Sequence, residues 1–328
     1  MTRQSPPFCV QVEPTEGCPA RCLFCGVNGI PPGARLMTVE TARIVAEALK
    51  RHGWQSRIEF AMHGEPTLNP SLPEIIMVFR EALPQAYLLL ETNALAFEIE
   101  TVRALFHAGL NTVAVDEYTS VPWAQELREK LGGAAVNPAL HEEKQFIIAE
   151  NVDYYEHPSA GPIANPHRRT KTRRLIFVAP IEEAPGGTHS ALNSHCGAGL
   201  PPKVAEGKRC AKPFREFSVR WDGSVALCCN DWRGLYVIGN VLVTDIAELW
   251  QSPRMEAARR FLIRGERTFV PCNLCDALSY RVGLLPDVTG KRRVPRPTQA
   301  DIDSIHAALA EGPLTEPVLR DWEKEEQS

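Results

Sequence analysis

Along the first half of the chain, short unbroken apolar runs alternate with longer stretches in which apolar residues return every three or four positions. Runs of the first kind read as strands buried on both faces, and stretches of the second kind as amphipathic helices. Strands are predicted near 8–13, 57–62, 87–91, 112–115, 145–149 and 175–178, and helices over 38–52, 72–83 and 98–107. Thr38 and Thr41 form an N-terminal cap signal for the first helix, without the glutamate of a full capping box. This alternation is the signature of an α/β fold, and six strands predict a partial (β/α)6 barrel of parallel strands. Further on, the turn signal WDGS at 221–224 joins two alternating runs, Phe217-Val219-Trp221 and Val225-Leu227-Cys229, and predicts a small C-terminal β-hairpin with those side chains on its packed face. A helix in DIAELW follows.

The 328 residues, 44% of them hydrophobic, suffice for a substantial core and more than one module. The expected division is a barrel core over 1–180, a linker over 181–209, a hairpin-plus-helix domain over 210–280 and an extension over 281–328 with a helix at 298–310. A net charge of −4 argues against a general role on nucleic acid or membrane surfaces. The chain has no apolar run of membrane-spanning length, and MTRQSPPFCV lacks the apolar centre of a signal peptide, so a cytoplasmic location is expected. The basic, proline-rich stretch 157–174 reads as a solvated loop, or else as an arm that holds an acidic substrate or peptide.

Ten cysteines in such a setting point to metal ligands rather than disulfides. Cys18, Cys22 and Cys25 lie in GCPARCLFCG, just after the first strand. An iron–sulfur cubane ordinarily takes four thiolates, so three would leave one iron open to a small molecule. A buried helical stripe and a zinc site closed by a further ligand are the alternatives. Glu65 and Asp116 each follow an apolar strand, at the carboxyl end where parallel α/β folds bind ligands. Glu65 could instead cap a helix and Asp116 sit in a solvated turn, but Asn93 at a third strand end favours a shared site.

The pattern C-x3-C-x2-C, with Phe24 before its last cysteine, resembles the radical S-adenosylmethionine (radical SAM) superfamily. The resemblance implies that Cys18, Cys22 and Cys25 hold a 4Fe–4S cluster whose open iron is chelated by S-adenosyl-L-methionine, with Phe24 against the adenine. MHGEPTLNP resembles the glycine-rich turn of that family, which implies Gly64 and Glu65 at the methionyl amino group; His63 stands where glycine is usual. Asn93 would lie near the ribose and Asp116 would point into the active site. Cys210, Gly223 and Cys228, followed by IGNV, DIAELW and the pair Cys272 and Cys275, resemble the Twitch form of the SPASM domain. That likeness implies one auxiliary 4Fe–4S cluster on Cys210, Cys228, Cys272 and Cys275, with zinc on the same thiolates as the alternative. Neighbouring strand residues face opposite ways, so Cys228 is the expected ligand and Cys229 the core residue.

An unactivated C–H bond is beyond side-chain acids and bases, whose gain is about 10²–10⁴-fold, so a bound cofactor must supply the reactive species. The implied activity is hydrogen abstraction after reductive cleavage of S-adenosyl-L-methionine. The substrate would be a small polar molecule undergoing dehydrogenation, or a peptide side chain undergoing crosslinking or epimerisation. A flavodoxin or ferredoxin would donate electrons. Cys9 is expected in the core. Cys196, in the loop NSHCGAG, would reach the active site as a hydrogen-atom donor or be an ordinary loop cysteine. Asp116, Glu117 and His195 are candidate proton acceptors. The contrasting class is a non-catalytic iron–sulfur scaffold or a zinc-stabilised binding protein.

Overall fold

The computed structural model describes residues 5–20, 22, 25–27, 30–95, 98–116, 126, 146–152, 173–178, 194–198 and 207–277. Phe24, Glu117, most of the 157–174 stretch and the 298–310 helix lie outside these residues. No helix among the described residues is long and apolar enough to cross a membrane.

The core alternates as expected: β1 (Cys9–Val12), α1 (Val39–Arg51), β4 (Arg57–Phe60), α2 (Leu72–Ala82), β5 (Leu88–Thr92), α3 (Ile99–His107) and β6 (Thr112–Asp116). A short ribbon, β2 (Thr15–Glu16) with β3 (Arg35–Leu36), closes off the loop that carries Cys18, Cys22 and Cys25. Thr38 caps α1, its hydroxyl accepting from Thr41 N at 3.0 Å. The helices bury the apolar stripes of their sequences, Val45, Leu49, Ile75, Phe79 and Leu105 among them, and Phe79 meets Phe60 edge-on at 5.5 Å. The parallel strands β1, β4, β5 and β6 lie side by side, so their carboxyl ends share one rim.

Two features differ from the expected arrangement. β7 (Phe146–Val152) and β8 (Arg173–Val178) are both parallel members of the sheet, but β8 pairs with β6 and β7 lies outside it. The unbroken run Leu175–Val178 suits an inner position, whereas the sequence of β7 includes Glu150 and Asn151, polar residues of the kind edge strands carry.

The second difference is at the other edge. The hairpin extends the core sheet instead of forming a sheet of its own: β9 (Glu216–Val219) pairs in parallel with β1, β10 (Ser224–Ala226) with β9, and β11 (Val237–Asn240) with β10. Phe217, Val219, Val225 and Leu227 join the main core as their alternation predicts. The turn needs Gly223, whose φ of +81° is left-handed and whose missing Cβ would stand 2.9 Å from Asn240 Oδ1. Behind the hairpin lie α4 (Lys212–Arg215), α5 (Ile246–Trp250) and α6 (Pro253–Ile263). Trp54, Phe217 and Trp250 pack mutually at 6.1–6.3 Å, joining the turn after α1, the hairpin and α5 in one apolar cluster.

Candidate active site and thiol clusters

The loop from Gly17 is pinned to the turn after β4 by the backbone alone. Gly17 N donates to His63 O at 3.0 Å and Glu65 N to Gly17 O at 3.1 Å. Gly64 makes this approach possible, because a Cβ there would lie 2.2 Å from Thr15 O. Asn93, just past β5, donates from Nδ2 to Cys18 Sγ at 3.1 Å, and its Oδ1 accepts from Leu95 N. The side chain the family resemblance places near a ribose is thus engaged with the cysteine loop.

Glu65 is buried and richly bonded. Oε1 accepts from Thr67 N, Thr67 Oγ1 at 2.7 Å and Thr92 Oγ1 at 2.6 Å, while Oε2 accepts from Asn93 N at 2.9 Å. Burial nevertheless raises its pKa, against the pull of those bonds. It does cap a short 3-10 turn, Pro66–Leu68, and it also ties that turn to the end of β5. Among these bonds Oε2 receives one donor, and a carboxylate oxygen can take two. Asp116 ends β6 and is buried, so the solvated-turn alternative does not hold. The register pairs Thr92 with Val115, which sets Asn93 and Asp116 at neighbouring strand ends.

All ten cysteines are free thiols. Burial pushes Cys18 up to about 11 and Cys25 up to about 12, so in the absence of a cation these thiols keep their protons. Such partly buried, mutually adjacent sulfurs become thiolates when a metal takes their place in charge balance. Among the described residues no three ligand side chains converge as they would around a single ion. The fit to a cluster rests on the donor set, which is purely thiol.

A second thiol group lies against the hairpin. Cys210, Cys228, Cys272 and Cys275 are all buried, and each influences the charge of others in the set. Arg267 brings a buried cation beside them, its guanidinium donating to Lys208 O at 3.1 Å, Cys275 O at 3.1 Å and Ala277 O at 2.7 Å. Asp231 caps the loop after Cys228 by accepting from Leu235 N and Tyr236 N, each at 2.8 Å.

Two sequence expectations need correction here. Cys229 leaves the apolar core: β10 ends at Ala226, so strand alternation no longer governs it, and its sulfur accepts from Lys212 Nζ at 3.1 Å beside Glu216. Cys196 is not in an open loop. It is 3% exposed and packs with Cys275 and Ala277.

Between the two thiol groups runs a buried polar network that sequence reasoning did not identify. His63 is fully buried, with Nδ1 2.6 Å from Glu13 Oε1 and Nε2 2.9 Å from Cys229 O. Arg220 reaches Glu16 at 2.7 Å and Glu13 at 3.6 Å, and Trp221 N donates to Glu13 at 3.1 Å. Burial would raise Glu13, but His63 and Arg220 overcome it and hold the carboxyl down to about 2. Trp232 packs against His63 at 5.5 Å and His195 at 4.2 Å, and a Cβ on Gly26 would meet its ring at 2.7 Å. The available signal was positional: Glu13 and Arg220 are charges that directly follow apolar strands.

Comparison with known proteins agrees with this division. Residues 12–116 match the Radical SAM superfamily and residues 210–276 the SPASM iron–sulfur cluster-binding domain. The S-adenosyl-L-methionine-dependent 2-deoxy-scyllo-inosamine dehydrogenase of Niallia circulans is 18% identical over 260 residues, 79% of this chain and 88% of that protein. The GTP 3′,8-cyclase of Chlorobaculum tepidum is 23% identical over 185 residues, 53% of this chain and 54% of that protein. The crystal structure of BtrN in complex with AdoMet and 2-DOIA superposes with a TM-score of 0.60 at 18% identity, covering 85% of this chain and 97% of that one, and so shares the fold. The three-thiol loop sits on the rim of a parallel sheet within the first match, and the four-thiol group falls within the second. This chain is an enzyme that carries a Radical SAM superfamily domain over residues 12–116 and a SPASM iron–sulfur cluster-binding domain over residues 210–276.

Proposed function

We propose that this enzyme oxidises a hydroxyl-bearing carbon of a small polar molecule. The observation that carries the site is the convergence of Cys18, Asn93 and Glu65 at neighbouring strand ends, linked by the Asn93 Nδ2–Cys18 Sγ and Asn93 N–Glu65 Oε2 hydrogen bonds. When bound, a 4Fe–4S cluster and S-adenosyl-L-methionine supply a 5′-deoxyadenosyl radical for hydrogen abstraction, and an auxiliary cluster supplies electron exchange. Cys18, Cys22 and Cys25 hold the first cluster in this reading, and Cys210, Cys228, Cys272 and Cys275 the second. The chemistry of the all-thiol donor sets fits both.

The remaining residues bind, orient and move protons. Glu65 Oε2 offers an acceptor to the methionyl ammonium while its other bonds keep the carboxylate still. Gly64 keeps the turn close to the cysteine loop. Asn93 orients Cys18, and Phe24 contacts the adenine. Asp116, at the end of β6, takes the hydroxyl proton of the substrate. The proposed domain limits are 1–180, 181–209, 210–280 and 281–328, and the electron donor is of the flavodoxin or ferredoxin type.

The Niallia circulans dehydrogenase, with 88% of its length matched, supports an aminocyclitol-like alcohol as substrate. The test is anaerobic reconstitution with dithionite, S-adenosyl-L-methionine and 2-deoxy-scyllo-inosamine or a related polyol. The expected products are 5′-deoxyadenosine and the corresponding ketone in equal amounts. Formation of 5′-deoxyadenosine without ketone from any polyol would transfer the assignment to peptide crosslinking or epimerisation. Bound iron with no 5′-deoxyadenosine would leave a scaffold, and zinc in both sites a binding protein.

A further inference from the structure

We propose that Cys196 is the hydrogen-bond donor that sets the reduction potential of the auxiliary cluster, acting through the sulfur of Cys275. The inference rests on the ligand set proposed above for that cluster. It concerns a thiol that lies outside that set of four.

The backbone around Cys196 is built for this contact. His195 and Cys196 both have positive φ, 45° and 56°, a left-handed conformation that non-glycine residues rarely adopt. Two such residues in a row persist only where the surroundings hold them. The hold is Ser194, whose N donates to Asp276 Oδ1 at 2.6 Å and whose Oγ donates to Leu274 O at 3.0 Å. Both anchors flank Cys275, so the turn is fastened to the loop that carries the ligand. On its far side Ala198 packs so tightly on Gly26, next to Cys25, that a Cβ there would stand 2.6 Å away. The turn is therefore wedged between the two cysteine loops.

The result at the side chain is specific. Cys196 is buried in contact with Cys275 and Ala277, which sets its thiol beside the sulfur of a proposed ligand. Cys275 Sγ already accepts from Ala277 N at 3.4 Å, and the Cys196 thiol would be a further donor to it. A cubane takes four thiolates and the set is complete without Cys196, which leaves the fifth sulfur its proton. Hydrogen bonds to ligating sulfurs draw electron density from the cluster and favour its reduced form. An apolar residue at 196 would leave Cys275 richer in electrons and the cluster harder to reduce.

The experiment is an anaerobic redox titration of the fully reconstituted enzyme, followed by electron paramagnetic resonance, with iron counted per chain. The auxiliary signal is the one that adding S-adenosyl-L-methionine leaves unchanged. Cys196→Ala is expected to lower its midpoint by a roughly tenfold change in the reduction equilibrium, about 59 mV for one electron, at unchanged iron content. Cys196→Ser, which keeps a donor, is expected to retain the wild-type midpoint. Ser194→Ala, which frees the turn but keeps the thiol, is expected to move the midpoint in the same direction as Cys196→Ala. The proposal is overturned if Cys196→Ala leaves the midpoint in place, or if it removes one cluster's worth of iron, which would make Cys196 a ligand. A wild-type protein without a second iron signal overturns the cluster assignment itself, a failure distinct from either of these.

Discussion

His63 occupies a position where the resembling turns carry glycine, and both of its ring nitrogens face acceptors, Glu13 Oε1 at 2.6 Å and Cys229 O at 2.9 Å. The buried ring thus stands between a carboxylate and the backbone beside Cys228. Replacing it leaves Glu13 with less compensation for burial. His63→Gln is expected to destabilise the fold by about 3 kcal/mol in denaturant unfolding. The same pair sets a pH dependence. Glu13 is held at about 2 in the folded chain against an ordinary 4.5, so it contributes stability that is present above pH 4.5 and lost as pH falls toward 2. Glu13→Gln should flatten that acid limb in melting temperatures recorded from pH 4.5 down to about 2. Glu65 was legible from its motif. Its bonds to Thr67, Thr92 and Asn93 were not, because they cross between separate strand ends. Glu65→Gln exchanges an acceptor for a donor that faces Asn93 N or Thr92 Oγ1, and 5′-deoxyadenosine formation should fall at least tenfold, with a higher KM for S-adenosyl-L-methionine.

Elements whose register depends on local pattern were the most legible. The periodicity of 38–52, 72–83 and 98–107 places α1, α2 and α3 to within a residue or so at each end, since caps and apolar stripes are short-range signals. The pairing of β9 with β1 was not legible, because the two strands lie about two hundred positions apart and parallel partners leave no turn to read between them. The exchange of β7 and β8 escaped for the same reason. The hairpin and the core are nonetheless one energetic unit. Trp250 is fully buried, meets Trp54 and Phe217 edge-on, and donates from Nε1 to Ser5 O at 2.9 Å. Trp250→Ala should cost about 3–5 kcal/mol, and calorimetry of the full chain should show the core and the hairpin losing stability together. Two separate transitions, with only the later part shifted, would contradict the shared core.

At the scale of the molecule, one sheet carries two thiol groups with different tasks, and they should be separable. A Cys18→Ala, Cys22→Ala, Cys25→Ala variant is expected to lose 5′-deoxyadenosine formation entirely while keeping the iron of the second site. A Cys210→Ala, Cys272→Ala variant is expected to keep the iron of the first site and its response to S-adenosyl-L-methionine, yet to stop forming ketone. Retention of ketone formation in the second variant would show that the auxiliary site is not needed for oxidation.

The sequence alone determined the chemistry on offer, because ligand spacings such as Cys18-x3-Cys22-x2-Cys25 and the strand-end positions of Glu65, Asn93 and Asp116 are local properties of the chain. It also determined the helices and the hairpin turn, which need only neighbouring residues to specify them. Tertiary structure alone decided that the hairpin completes the edge beside β1, that His63 and Arg220 meet Glu13, and that Cys196 turns onto Cys275. Those contacts join positions far apart along the chain, and their energies come from burial and charge pairing that exist only once the sheet has closed around them.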